Sequence, residues 1–244
     1  MKVTFVFFWI GREINIPDNL VRSIRTIYKN EAIIIQVSDP HTKRVDNVDE
    51  IYRYNENFLI PEEIMLARLR AFSLVNSNSL TIFIDADSIV INKINLTIFN
   101  KEKIYVVKRD EKSFDKIINH DYPIYYPEFV GKKIGEVMPF LASCLITKNG
   151  NALFDKLFMI CKNSHIRFHR WYGDQTSLFQ YWKENKNNFL YLDYNEYCYT
   201  VQKLITNDQA KNLISSNVKI IHFKGPAGKK DLIENSNIFF KFLS

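Results

Sequence analysis

The feature that most constrains this chain is an apolar run that stops abruptly on acid: Leu80-Thr81-Ile82-Phe83-Ile84 leads directly into Asp85-Ala86-Asp87. Residues so rich in β-branched and aromatic side chains predict a strand buried on both faces. Two carboxylates are then delivered at its carboxyl end. In open α/β sheets that end borders the crevice where ligands bind, because the loops leaving the strands form its walls.

The amino-terminal half supplies the sheet that such a strand needs. Val3 to Ile10 is β-branched and aromatic, and a turn follows it. Asp18 is expected to cap a helix whose apolar positions Leu20, Ile24 and Ile27 recur at helical spacing. Ala32 to Val37 is a second apolar run, broken by Ser38-Asp39-Pro40, and completes a βαβ unit. A weaker strand is expected around Ile51 to Tyr54. Pro61-Glu62-Glu63 then opens a helix, with proline in the first turn and acids at the positive end of the dipole, continuing to about Val75.

Beyond the acidic pair, residues 110–135 are expected to be irregular, with charges, prolines and Tyr122, Tyr125 and Tyr126. Val137 to Thr147 has strand character and Asn151 to Cys161 helical character. Gly173-Asp174-Gln175 introduces a helix through Trp182, and Val218 to Ile221 is a short strand that delivers His222. No repeat, linker or composition shift divides the chain, so residues 1–244 are expected to form one α/β domain. At 46% hydrophobic content, 244 residues support a sizeable core and exclude disorder.

Composition narrows the partners. The formal charge of +6 comes from 33 basic and 27 acidic residues, which favours anionic ligands. The basic residues are scattered among acids rather than gathered in a stripe, which argues against nucleic acid. Cys144, Cys161 and Cys198 lie too far apart for a zinc knuckle or a disulfide framework, and a reducing, cytoplasmic compartment fits them. No apolar run approaches the roughly 18 to 20 residues that cross a bilayer. The aromatic tail Ile238-Phe239-Phe240-Lys241-Phe242-Leu243 has two readings, peripheral contact with the inner membrane surface or a terminal helix packed on the domain.

Two aspartates flanking one residue after a buried strand suit a hard divalent cation, Mn²⁺ or Mg²⁺, which commonly bridges to substrate phosphates. His222 also ends an apolar strand and would complete an oxygen-rich site. After it, Lys224, Gly225, Gly228, Lys229 and Lys230 form a glycine- and lysine-rich turn of the kind that brings amides and ammonium groups against a diphosphate. Metal on one side and cations on the other would stabilise charge on a leaving nucleoside diphosphate.

These segments resemble the motifs of GT-A-fold glycosyltransferases, especially glycosyltransferase family 8. Arg68, on the helix before Thr81 to Val90, occupies the place of the family's donor-contacting arginine. Asp85 and Asp87 match its metal-binding D-x-D, with Ala86 between them, and Tyr172-Gly173-Asp174-Gln175 its Asp-Gln element beside the transferred sugar. Leu190 to Asn195 resembles its asparagine-containing segment. His222-Phe223-Lys224-Gly225 matches its H-x-x-G, whose histidine is a third metal ligand. Trp9-Ile10-Gly11, Ile16-Pro17 and Ser23 look like the start of family 32. The resemblance departs at Phe140-Leu141-Ala142-Ser143, where family 8 shows F-N-A-G, so the donor sugar does not carry over. The phosphate-binding lysine is matched by Lys229, one place late, or by Lys224.

The resemblance implies a Rossmann-like GT-A domain with a mixed central sheet flanked by helices. It implies transfer of a hexosyl group from a nucleotide sugar, UDP-hexose being expected, to a glycan or glycolipid in bacterial surface polysaccharide or lipopolysaccharide synthesis. The metal ligands would be Asp85, Asp87 and His222. Donor contacts would come from Arg68, Asp85, Ala86, Lys224, Gly225 and Lys229, with Phe8 and Trp9 placed to meet the base. If stereochemistry is retained, Asp174 or Gln175 stabilises the oxocarbenium-like sugar; if it is inverted, Asp174 is the general base, its structural alternative being a helix cap. Two other classes compete: a haloacid dehalogenase-type phosphatase with Asp85 as nucleophile, and a non-enzymatic module binding RNA or anionic glycans.

Overall fold

The computed structural model describes residues 2–119, 127–201 and 205–243. Tyr122, Tyr125 and Tyr126 lie outside the described residues. In chain order the elements begin with β1 (Val3–Phe8), α1 (Asn15–Tyr28), β2 (Ala32–Ser38), β3 (Glu50–Arg53), α2 (Ile64–Ser73), β4 (Thr81–Asp85), β5 (Ser88–Val90) and β6 (Ile104–Lys108). The one-turn helices α3 (Glu111–Phe114) and α4 (Ile134–Val137) precede β7 (Phe140–Thr147), α5 (Gly150–Lys162), α6 (Arg167–Arg170) and α7 (Gly173–Glu184). β8 (Phe189–Leu192), α8 (Tyr194–Tyr197), β9 (Tyr199–Val201), α9 (Asn207–Ile214), β10 (Ile220–Phe223), α10 (Gly225–Asn235) and α11 (Asn237–Phe240) complete the chain.

Seven strands form one mixed sheet in the order β3-β2-β1-β4-β7-β6-β8. The first four are parallel, β7 runs antiparallel between β4 and β6, and β8 is parallel to β6. Alternation along the central strands sorts their side chains between two layers. Phe5, Phe7, Ile82 and Ile84 pack with Leu20, Ile24 and Tyr28 of α1. Val6 and Phe83 face the other way, toward α2, α5 and α7. There Phe72 meets Phe83 edge-on at 5.3 Å between centroids and Phe154 at 4.8 Å. A smaller sheet, β5-β10-β9, is backed by a separate cluster that includes Ile89, Ile221, Leu232 and Phe239.

Several boundaries differ from the expectations, each for a local reason. β1 ends at Phe8, and Trp9 instead donates its indole N–H to the carbonyl of Glu13 at 2.9 Å. α1 begins at Asn15, so Asp18 lies in its first turn and acts through the dipole rather than as the cap. Pro61 lies in the turn before α2, whose first residue is Ile64, and that helix ends at Ser73. β7 starts at Phe140, because Ile134–Val137 is a turn of helix held by the Glu136 carboxylate accepting from the Lys133 N–H. His222 lies within β10 rather than just after it.

The glycine- and lysine-rich segment after His222 is not a loop but the beginning of α10. Pro226 in the first turn has the fixed φ a helix start favours, and Gly225 takes φ +73°. A Cβ on Gly228 would lie 2.7 Å from the carbonyl carbon of Phe223, so glycine there lets α10 fold back against the end of β10. The tail packs on the domain: Phe239 is buried edge-on against Phe223, and the Arg22 guanidinium lies 3.9 Å over the Phe240 ring. No helix among the described residues is long and apolar enough to cross a membrane.

The three cysteines are free and buried, and burial pushes the Cys161 thiol up to about 12 and that of Cys144 well above its ordinary range. Thiolate is the reactive form. Labelling with a chromogenic disulfide reagent is therefore expected to be negligible in the folded protein and to reach three thiols per chain in denaturant.

Candidate active site

The strand order places a ligand crevice before any side chain is considered. β1 lies between β2 and β4, both parallel to it, and the direction of chain progression across the sheet reverses between β1 and β4. The carboxyl ends of those two strands form the topological switch point. Phe8 and Asp85 are register partners there.

Asp85 is the last residue of β4 and Ser88 the first of β5, so Asp85-Ala86-Asp87 is the crossing from the large sheet to the small one. Ala86 is buried in that crossing. β10 closes on it: His222 is the register partner of Ser88, and the Phe223 N–H donates to the Asp87 carbonyl at 2.9 Å. His222 Nε2 consequently lies 3.2 Å from Asp87 Oδ1 and 3.5 Å from Asp85 Oδ2. One ligand atom from each of the three side chains lies within 4.8 Å of the others.

Arg68 reaches the same place from α2. Its guanidinium donates to Asp85 Oδ1 at 2.5 Å, to Asp174 Oδ2 at 2.9 Å and to the Ala142 carbonyl at 2.8 Å. Asp174 is held as well by the Gln175 N–H, which donates to Oδ1 at 2.7 Å. The helix cap is Tyr172, in a left-handed conformation, so Asp174 is free of that role. Gly173 is required at this junction, because a Cβ would lie 2.1 Å from the Phe168 carbonyl oxygen.

Burial and charge act in opposition on these groups. Burial raises Asp85, and Arg68 and His222 only partly offset it, so its carboxyl stays above the usual range. Burial would raise Asp87 too, but His222 and Lys229 outweigh it and hold that carboxyl well below the ordinary value. The Lys229 ammonium lies 3.4 Å from Asp87 Oδ2. Burial would lower His222, but Asp87 overrides it and keeps the imidazole protonated well above its ordinary range. Arg68, despite burial, is raised by Asp85 and Asp174. Lys224 is lowered by partial burial and by the cation of Arg109.

A cavity of about 90 Å³ opens on this cluster, lined among others by Arg68, Asp85, Arg109, Asp174, Gln175, His222 and Lys224. It has room for about three waters at about 30 Å³ each. Beside it runs a broader open groove of about 770 Å³ whose wall includes Lys108, Arg109, Asp110, Tyr191, Tyr194 and Asn195.

Of the residues singled out from sequence, Asp85, Asp87, His222, Arg68 and Lys229 converge in one ion-paired cluster. Asp174, Gln175 and Lys224 share the cavity wall with it. Gly225 is the first residue of α10, next to Lys224. Phe8 and Trp9 lie at the switch-point edge but outside the cavity lining. The Phe8 ring packs edge-on against Phe72 at 6.4 Å, and Trp9 is tethered to Glu13. Arg109 went unnoticed in the sequence: buried just beyond the end of β6, it donates to Gln175 Oε1 at 2.6 Å and to the Met138 carbonyl at 2.8 Å. Its signal was available, a charged residue ending an apolar strand as Asp85 does.

The donor set fits a divalent cation. Two carboxylates and an imidazole present ligand atoms close enough to share one ion; ligation would take the imidazole in its neutral form, leaving Lys229 as the ammonium beside Asp87. Oxygen-rich sites with one imidazole suit Mn²⁺ and Mg²⁺ chemistry.

No protein-family model and no curated protein matches the sequence. Solved structures do match, and they define the fold class: this is a GT-A domain, a mixed α/β sheet flanked by helices. The bifunctional glycosyltransferase WbbM in its apo form aligns with a TM-score of 0.59 at 16% identity over 98% of this chain. This chain spans 51% of the WbbM chain, about half its length. A glycosyltransferase involved in glycosylation of the major capsid of PBCV-1 aligns with a TM-score of 0.59 at 9% identity, covering 98% of this chain and 100% of that one. The galactosyltransferase LgtC, solved with donor and acceptor sugar analogs, gives 0.58 at 12% identity over 99% of this chain and 95% of its own.

Removing Arg68 strands the buried carboxylate of Asp174 and the partly buried one of Asp85. Breaking a buried pair from one side costs about 3–5 kcal/mol because the remaining charge is uncompensated. Arg68→Ala is expected to lose stability in that range in urea unfolding, and Arg68→Lys to recover only part, because an ammonium lacks the guanidinium fork.

Proposed function

We propose that this protein is a metal-dependent glycosyltransferase that moves a hexosyl group from a nucleoside diphosphate sugar, UDP-hexose, to a hydroxyl of a glycan or glycolipid with retention of configuration. The observation that carries the reading is the convergence of Asp85, Asp87 and His222 at the switch point of a GT-A sheet, with Arg68, Asp174, Gln175 and Lys224 on the adjoining cavity wall. The named activities of the three aligned structures, all glycosyltransferases, support sugar transfer.

Asp85, Asp87 and His222 would hold Mn²⁺ or Mg²⁺, which when bound would supply positive charge for a departing diphosphate. The chain's own groups do the rest. Lys224 and Lys229 bring ammonium charge to the phosphates at the start of α10, where the helix dipole and the backbone from Gly225 onward also favour an anion. Arg68 fixes Asp85 and Asp174 relative to each other across the cavity. Gln175, steadied by Arg109, offers its side chain to the sugar. Phe8 and Trp9, at the same edge, are the candidates for the base.

The bond from the anomeric carbon to the phosphate oxygen breaks, and the acceptor oxygen takes its place on the same face. A leaving-phosphate oxygen accepts the acceptor proton. Asp174 favours this reading over an inverting one with Asp174 as general base. Its two oxygens already accept from Arg68 and from the Gln175 N–H, so it is placed to stabilise positive charge on the sugar. The acceptor belongs to a bacterial surface polysaccharide or lipopolysaccharide on this reading, made in the cytoplasm. The packed tail favours a structural terminal helix over a membrane contact.

A panel of nucleotide sugars with Mn²⁺, read by thermal shift and slow donor hydrolysis, tests the function directly. One donor is expected to raise the melting temperature only with metal, and EDTA to abolish the shift. Asp85→Ala and Asp87→Ala should each lose metal-dependent nucleotide binding; undiminished binding in both would refute the proposal. Asp174→Asn is expected to slow turnover by at least about 100-fold, the scale of one lost electrostatic contact in a transition state, while the product anomer read by NMR stays that of the donor.

A further inference from the structure

His222 has a second nitrogen, and the groups behind it form a chain with no part in the function proposed above. Nδ1 lies 3.6 Å from the Sγ of Cys198. That sulfur in turn lies 2.9 Å from the Oγ of Ser143. Cys198 is fully buried and Ser143 nearly so. Thr200 in β9 pairs with His222 in β10, and Cys198 lies at the junction of α8 and β9, two residues before Thr200. Ser143 comes from β7 in the large sheet. β7, β10 and the α8–β9 junction thus meet at one thiol.

The geometry points to Cys198, backed by Ser143, as the positioning residue that fixes the tautomer and ring plane of His222 for metal ligation. This rests on the metal reading given above. A thiol both accepts and donates weakly. In the neutral form of the ring that metal ligation requires, an Nδ1–H donating to Sγ, with the S–H donating to Ser143 Oγ, keeps the remaining proton on Nδ1 and leaves the lone pair of Nε2 facing Asp85 and Asp87. Metal-ligating histidines are generally oriented in this way by a partner on the other nitrogen, and loss of that partner typically costs about 10–100-fold in metal affinity. Among the described residues, Cys198 Sγ is the hydrogen-bond partner recorded for Nδ1.

The test uses the full chain and Mn²⁺ alone, with free Mn²⁺ read from its electron paramagnetic resonance amplitude, so that no donor or turnover is needed. Cys198→Ala is expected to weaken binding by about 10–100-fold while the metal-free melting temperature stays near that of the unmodified protein. Cys198→Ser, which restores a polar partner, is expected to recover a large part of the loss. Unchanged affinity in Cys198→Ala overturns the inference, and so does a Cys198→Ser variant as weak as Cys198→Ala. If Cys198→Ala does not fold, Ser143→Ala is read instead: weaker Mn²⁺ binding supports the chain of contacts and unchanged binding overturns it. Failure of the unmodified protein to bind Mn²⁺ would instead overturn the metal reading itself, which separates the two cases.

Discussion

The guanidinium of Arg68 is the contact on which the site depends. Asp85 belongs to a central strand and is partly buried, and Asp174 belongs to the first turn of α7 and is buried. Without a cation between them the two carboxylates would repel one another. A planar fork with several donors can serve both carboxylates and the Ala142 carbonyl at once, which a point-charge ammonium cannot do. Because Arg68 projects from α2, its position is set in turn by the aromatic packing of Phe72 against Phe83 and Phe154. The core and the polar cluster are therefore parts of one arrangement.

A second constraint comes from the two sheets. The large sheet provides the acid pair's first member and the wall opposite it, and the small sheet provides His222. Opposed charges then set the protonation of the group. Lys229 and the protonated His222 hold Asp87 ionised, whereas burial lifts Asp85. Two carboxylates separated by one residue thus have unlike environments, because one faces the Arg68 side of the cluster and the other faces β10 and α10.

Much of this was legible in the sequence wherever a signal was local and strong. The run from Leu80 into Asp85, the βαβ unit and the glycine before Asp174 each carry a chemical reason that survives folding. Boundaries were less legible. Nothing in Pro61-Glu62-Glu63 says that the proline belongs to the preceding turn, and Asp18 resembles a cap until the first residue of α1 is known. The segment after His222 looked like a loop because two glycines suggest one. One of them instead permits close packing of a helix on a strand, which depends on a neighbour far away in sequence. Ser143 and Cys198 escaped for the same reason, as did the partner, though not the strand-end position, of Arg109. Their meaning lies in what they touch, and their partners Gln175 and His222 are distant along the chain.

The crossing at Asp85-Ala86-Asp87 has a consequence for how the protein comes into being on the ribosome. β5 lies at the edge of the small sheet, and among the described residues its strand neighbour there is β10. The acid pair is therefore synthesised before β6 to β9, and its histidine arrives only after those elements have followed. Until then the large sheet can assemble its parallel half, while the segment leaving it has no sheet to join. The cluster that defines the site is thus completed only once β10 has emerged, and a nascent chain carries its carboxylates before it carries the residues that give them a purpose.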